Sequence, residues 1–154
     1  MLLKFKTWEI IMRVLAIGAH PDDIEIACSG TLAKCVKRGD TVIVCHVSSG
    51  NLGHVVIPPD ELRVIRANEA KKAGAMAGIE VICAGFDDLE IYDNNKEARD
   101  KLVDIIKYAN PDFIITQTQT IICLTIRRFP VWCLMQASRQ LCLTMQASIK
   151  KRQN

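Results

Sequence analysis

The sequence predicts an α/β fold: a Rossmann-like sheet, largely parallel, with helices on both faces. Three observations carry that expectation. Short runs of small and branched apolar residues, such as Val14-Leu15-Ala16-Ile17 and Val42-Ile43-Val44-Cys45-His46-Val47, read as buried parallel strands. Between them stand segments of helical period, long enough to cross from one strand to a parallel neighbour. Carboxylates and turn residues follow the strands, at the edge where ligands bind in open α/β sheets.

The first strand, residues 13–18, runs into Ala19-His20-Pro21-Asp22-Asp23. Residues 24–38 then read as a helix, with Ile26, Leu32, Ala33 and Val36 at helical spacing and Gly39 just past its end. Residues 42–47 form the second strand, closed by Ser48-Ser49-Gly50, and the strand, helix, strand unit is expected to cross over right-handedly. A loop over 51–59 follows. Pro59, Asp60 and Glu61 open a second helix, acids in its first turn suiting the macrodipole. It runs to Gly78, with Leu62, Ile65, Ala73 and Met76 on its apolar side. A third strand over 79–84, an acidic loop over 85–95, a helix over 96–109 with Leu102, Ile105 and Ile106 inward, and a fourth strand over 112–116 complete the alternation.

From Gln117 the apolar residues follow neither period, so the sheet is expected to be incomplete at its C-terminal side. Three segments result: an N-terminal extension over 1–11, one α/β domain over 12–116, and an atypical tail over 117–154. The 154 residues, 49% apolar and 24% charged, suffice for one packed core. The formal charge of +3 belongs to the tail, which has six Lys or Arg and no acid; residues up to Thr116 carry 14 basic against 17 acidic groups. Six cations without a clean amphipathic face argue against nucleic acid, and no apolar run approaches the roughly 20 residues of a membrane span. Lys4, Lys6 and Glu9 interrupt the opening residues, which do not read as a signal peptide. Seven irregularly spaced cysteines without a C-x-x-C pair fit reduced thiols in a cytoplasmic protein.

His20, Asp22 and Asp23 carry the chemistry. An imidazole and a carboxylate three residues apart at a strand-to-helix turn can both reach one cation, and both are ordinary zinc ligands. The carboxylate between them can take a proton from water, whose pKa zinc lowers to about 7. A plainer alternative makes Asp22 and Asp23 caps of the next helix and His20 a turn residue. The three residues alone leave both readings open.

His20-Pro21-Asp22-Asp23, preceded by the strand and followed by Glu25 and Ser29-Gly30-Thr31, resembles the signature of the PIG-L/LmbE-like zinc deacetylases, which remove acetyl groups from N-acetylglucosamine units. The resemblance continues through Arg66-Ala67-Asn68-Glu69-Ala70 and Phe86-Asp87-Asp88 to Pro111-Asp112-Phe113-Ile114-Ile115-Thr116, about two-thirds of the chain. It implies that His20 and Asp23 hold Zn2+, that Asp22 is the general base, and that Arg66, and with it Asp88, contacts sugar hydroxyls or a polar aglycone. It also implies a small-molecule N-acetylated amino sugar as partner and a homo-oligomer as assembly. From spacing alone Arg66 reads as an i,i+3 partner of Glu69, Asp88 as a solvated loop acid, His46 as a packing histidine and His54 as a loop histidine.

The family supplies a third zinc ligand from a histidine after the fourth strand, in a segment resembling Asn-Asp-Tyr-x-x-Asp-His, and here no histidine follows His54. Joining the third base of each codon from Gln119 to Thr125 to the first two bases of the next permits Asn-Asp-Tyr-(Met or Leu)-Pro-Asp-His. The tail is therefore compatible with an out-of-frame reading of the segment that completes the site.

The expected function is hydrolysis of the acetamide of an N-acetylglucosamine-type sugar or conjugate, impaired in the chain as written because the third protein ligand is absent from it. The alternative is a non-catalytic Rossmann-like small-molecule binding module. The first turn has only Gly18 ahead of His20 and lacks G-x-G-x-x-G, which speaks against dinucleotides.

Overall fold

A computed structural model of the chain describes residues 11–92 and 95–117. The elements are β1 (Arg13–Gly18), α1 (Asp23–Arg38), β2 (Thr41–Ser48), α2 (Pro59–Ala77), β3 (Glu80–Phe86), α3 (Lys96–Ala109) and β4 (Phe113–Thr116). All pairings are parallel and the strand order is β3-β2-β1-β4. The alternation expected from the sequence is present, with element ends within about two residues, the ordinary uncertainty of such boundaries. Of the expected extension and tail, all but Ile11 and Gln117 lie outside the described residues.

Strand alternation divides the core between the two faces of the sheet. Leu15, Ile17, Ile43, Cys45 and Val47 pack with Leu102, Ile105 and Ile106 of α3. Val14, Ala16, Val42 and Val44 face the other way, against Ile24 and Leu32 of α1. Each fully buried Leu, Ile or Val contributes roughly 1.5–3 kcal/mol of transfer free energy, which is why the middles of the central strands, Val14–Ile17 and Val42–Cys45, are unbroken apolar runs. α2 lies along β3, where Gly74 leaves room for Val81: a Cβ on Gly74 would collide with the Val81 Cγ2 methyl.

Four assignments to apolar helix faces are corrected, Ala33 and Ala73, both exposed, and the two large side chains Ile26 and Met76. Ile26 is 83% exposed and Met76 90% exposed. In α1 the helix is broken at Cys28 (φ −147°), so its first turns are rotated relative to the rest and Ile24, not Ile26, enters the core. In α2 the buried positions are Leu62, Ala70 and Gly74, a stripe that leaves Met76 on the solvent side.

Carboxylates tie down the N-terminal ends of the central strands. Met12 N–H donates to Asp40 Oδ1 at 2.9 Å, and Arg13 N–H to Asp112 Oδ2 at 2.9 Å. At the opposite edge the strand ends are laced by backbone bonds, Ser48 N–H to Ala19 O and Ser49 N–H to Phe86 O, both 2.7 Å. The chain order reverses between β1 and β4, and this switch point is where such sheets open a crevice. No helix of the described residues is long and apolar enough to cross a membrane.

Candidate active site

The turn from β1 into α1 is tight. A Cβ on Gly18 would stand 2.9 Å from Ile24 Cγ1, so glycine lets the helix fold back directly onto the strand it leaves. His20 Nδ1 then lies 3.4 Å from Asp23 Oδ2, while the His20 backbone N–H donates to the same oxygen at 2.7 Å. Two donors bound tetrahedrally at about 2.0–2.1 Å are separated by about 3.3–3.4 Å, so this pair has the spacing of two ligands of one cation. Among the described residues no group of three or more His, Cys, Asp or Glu is arranged to hold a metal.

Asp22 is not a helix cap. It sits at the N-cap position with φ 112°, and its side chain makes no capping hydrogen bond. A non-glycine residue in this region costs of order 1–3 kcal/mol and persists where the surroundings impose it. The two neighbouring carboxylates are driven apart in acidity. Partial burial and the Asp23 charge push Asp22 above the ordinary carboxylate range, with Arg66 and His20 pulling the other way. Burial would also raise Asp23, but hydrogen bonds from the His20 side chain and backbone and from Gln117 outweigh it and hold Asp23 below that range. A proton acceptor beside a committed anion is the division of labour that acid–base sites use.

Asp22 lines a cleft of about 260 Å³ with Pro21, Glu25, Arg66, Glu69, Ala70 and Ala73. Arg66 reaches it from α2 by lying across the loop after β2. A Cβ on Gly53 would come within 2.8 Å of Arg66 Nη2, and one on Gly50 would collide with Nη1. Arg66 makes no ion pair with Glu69 among the described residues; it lines the cleft, and its charge acts on Asp22. Asp88 stands elsewhere. It is 8% exposed, its Oδ1 and Oδ2 accept the Gly50 and Leu52 N–H groups at 3.0 and 3.1 Å, and its own N–H donates to Asn51 Oδ1. The structure gives Asp88 the task of holding the loop over which Arg66 lies.

Three residues that sequence reasoning had not assigned join the site. Gln117, just past β4, accepts the Ala19 N–H on Oε1 at 3.1 Å and hydrogen-bonds Asp23, linking the ends of β1 and β4. Glu25 faces the cleft from α1. His46, fully buried in β2, has Nε2 at 3.1 and 3.2 Å from the two Glu25 oxygens. The available signal was a lone imidazole inside an apolar strand, on the parity that faces α1; its partner, 21 residues earlier, is visible only once the sheet register is known. His54 is a loop residue whose Nδ1 accepts the Val56 and Ile57 N–H groups.

Comparison with known proteins follows the same lines. The family described as PIG-L, GlcNAc-PI de-N-acetylase, matches residues 15–122. A diacetylchitobiose deacetylase of Thermococcus kodakarensis is 29% identical over 108 residues, which are 68% of this chain and 40% of that protein. Among solved structures, an N,N'-diacetylchitobiose deacetylase from Pyrococcus horikoshii superposes with a TM-score of 0.73 at 23% identity, over 84% of this chain and 54% of that one. The 4-carboxy-2-hydroxymuconate hydratase GalB of a pseudomonad does so with a TM-score of 0.70 at 18% identity, over 84% and 55%. The chain thus spans about half the length of these three proteins. One of these structures is named a hydratase, so the shared fold leaves the reaction to be argued from the site.

Proposed function

We propose that this chain, which belongs to the PIG-L family of GlcNAc-PI de-N-acetylases, carries the cation-binding and acid–base part of a zinc-dependent deacetylase site acting on an N-acetylglucosamine-type sugar or conjugate. The observation that supports this best is the 3.4 Å pairing of His20 Nδ1 with Asp23 Oδ2 beside the elevated pKa of Asp22. His20 and Asp23 would hold the metal. Zinc there supplies a Lewis acid for the acetamide carbonyl and acidifies water. Asp22 is the group that accepts the proton of the attacking water and returns it to the departing amine, leaving acetate and a free amino sugar. Arg66 donates to hydroxyls of the sugar ring or of its aglycone, and Asp88 serves binding through the loop it pins rather than by direct contact.

Cytoplasmic residence and self-association belong to the same reading; the thiols of Cys28, Cys35 and Cys83 are free, in keeping with a reducing compartment. The test is zinc content and acetate release from N-acetylglucosamine conjugates. His20→Ala is expected to lose the metal and Asp22→Asn to keep it while losing turnover. Full activity in Asp22→Asn would remove the proposed base. The non-catalytic module is favoured by the presence of two, rather than three, clustered donors among the described residues. Folded protein that takes up no zinc yet binds the sugar would decide for it.

A further inference from the structure

Glu25 is the third residue of α1, and its carboxylate gathers three donors. Buried His46 presents Nε2 to its two oxygens at 3.1 and 3.2 Å, and the backbone N–H groups of Asp22 and of Glu25 itself bond the same carboxylate. In an ordinary capping box the work is shared. The cap residue's side chain takes the N–H of the third helical residue, and a glutamate at that third position reaches back to the N–H of the cap residue. In this turn the second half of the box is present and the first is missing. Asp22 occupies the cap position without a side-chain cap bond, and Glu25 takes both N–H groups. Aspartate is among the best cap residues, so an unconstrained Asp22 would turn its carboxylate onto the helix. Instead it stands in strained backbone, φ 112°, and lines the cleft. The Glu25 carboxylate that holds its N–H is anchored from behind by His46, which is fully buried in the central strand β2.

We infer that Glu25 is a positioning residue: it caps α1 in place of Asp22 and, anchored by His46, fixes the Asp22 peptide so that the Asp22 carboxylate stays in the cleft as a free proton acceptor. The exchange of caps stands on the hydrogen bonds; only the use made of the freed carboxylate rests on the deacetylase reading. A general base acts on a proton within hydrogen-bond reach, and a misplacement of about 1 Å costs about a hundredfold in rate. A merely structural Glu25 would fasten α1 to β2 and leave turnover at Asp22 untouched.

The test uses the full chain with zinc and N-acetylglucosamine, following amide hydrogen exchange at positions 22 and 25 by NMR alongside zinc content and acetate release. Glu25→Ala is expected to speed exchange of the Asp22 N–H about tenfold, as loss of a hydrogen bond to a charged group does. It should lower kcat about a hundredfold with KM and zinc content unchanged. Glu25→Asp keeps the charge but is one methylene too short, so it should behave like Glu25→Ala, and it decides the matter if Glu25→Ala does not fold. Glu25→Gln keeps a carbonyl acceptor at full reach and should return kcat to within about threefold of the parent. Asp22→Ala should be silent at the position-25 amide in the parent, where Glu25 holds that N–H. In the Glu25→Ala background, where Asp22 has become the cap, it should speed that exchange about fivefold. Unchanged Asp22 exchange in Glu25→Ala, or faster position-25 exchange on Asp22→Ala in the parent, overturns the proposal. The expected exchange pattern without acetate release overturns the deacetylase reading and leaves the exchange of caps standing. Acetate release with an unaltered kcat in Glu25→Ala overturns the positioning role and leaves that reading intact.

Discussion

Asp88 Oδ1 accepts the Gly50 N–H at 3.0 Å across 38 residues of chain, and its second oxygen takes the Leu52 N–H at 3.1 Å. The loop after β2 is thereby pinned to the loop after β3. Asp88→Ala removes a charged acceptor from two backbone donors, and hydrogen bonds to a charged group contribute about 1.5–3 kcal/mol. We expect a loss of about 2–4 kcal/mol for the pair, read from the urea midpoint. Asp88→Asn, which keeps one carbonyl acceptor, should lose about half of that.

Gly50 has φ +69°, and its Cα faces the Arg66 guanidinium. Gly50→Ala therefore meets two obstacles, a left-handed backbone and a side chain already in the space. The expected cost is about 1–3 kcal/mol, and Arg66 must also move out of the cleft. Sugar affinity should fall with stability in Gly50→Ala. It should fall without any loss of stability in Arg66→Ala, which separates the two effects in one pair of thermal melts and titrations.

His46 titrates unlike an ordinary imidazole. Burial opposes its charge, but the Cys83 sulfur and the Glu25 carboxylate outweigh burial and raise its pKa from 6.5 to about 9. Below pH 6.5 the folded and unfolded chains are both protonated at this residue and its contribution is complete. As pH rises from 6.5 toward 9 the unfolded chain releases a proton that the folded chain keeps, so the contribution is lost over that window. We expect the stability difference between the parent and His46→Gln to shrink by on the order of 2 kcal/mol from pH 6 to pH 9.5, measured by denaturation at each pH.

Gln117 bonds both the Ala19 N–H and Asp23. Partners of this kind orient a metal-binding carboxylate, and their removal lowers metal affinity by about 10–100-fold. Gln117→Ala is expected to weaken zinc by about that factor while costing the metal-free chain only about 1 kcal/mol, the worth of the Ala19 hydrogen bond. Equal zinc affinity in the two proteins would show that Gln117 orients nothing.

The nucleotide sequence across Gln119 to Ile126 offers a test that needs no protein. We expect its third-base codons to spell Asn-Asp-Tyr, then Met or Leu, then Pro-Asp-His, and any other string removes the out-of-frame reading of the tail.

The fold was legible because hydrophobic period and turn chemistry are local properties. Val14 to Ile17 and Val42 to Val47 could be read as buried strands, and Gly39 and Gly78 as helix ends, before any contact was known; both glycines do close their helices in the left-handed conformation. Ile26 and Met76 were misread because a helical stripe fixes only relative angles: a break at Cys28 or a shift of the buried stripe on α2 turns a nominally inward residue outward.

By itself the sequence determined the βα alternation and the gathering of His20, Asp22 and Asp23 at one strand end, because each depends on residues within a few positions of one another. Only the tertiary structure decided which carboxylates face the cleft. Glu25 was unassigned and lies in its wall, whereas Asp88, placed there by its motif, is occupied by Gly50 and Leu52. The strained backbone of Asp22, the reach of Arg66 across two glycines and the His46 to Glu25 pair arise where loops and strands distant in sequence meet at the sheet edge. Which side chains meet there depends on the parallel register, and that is set by the packing of the whole sheet.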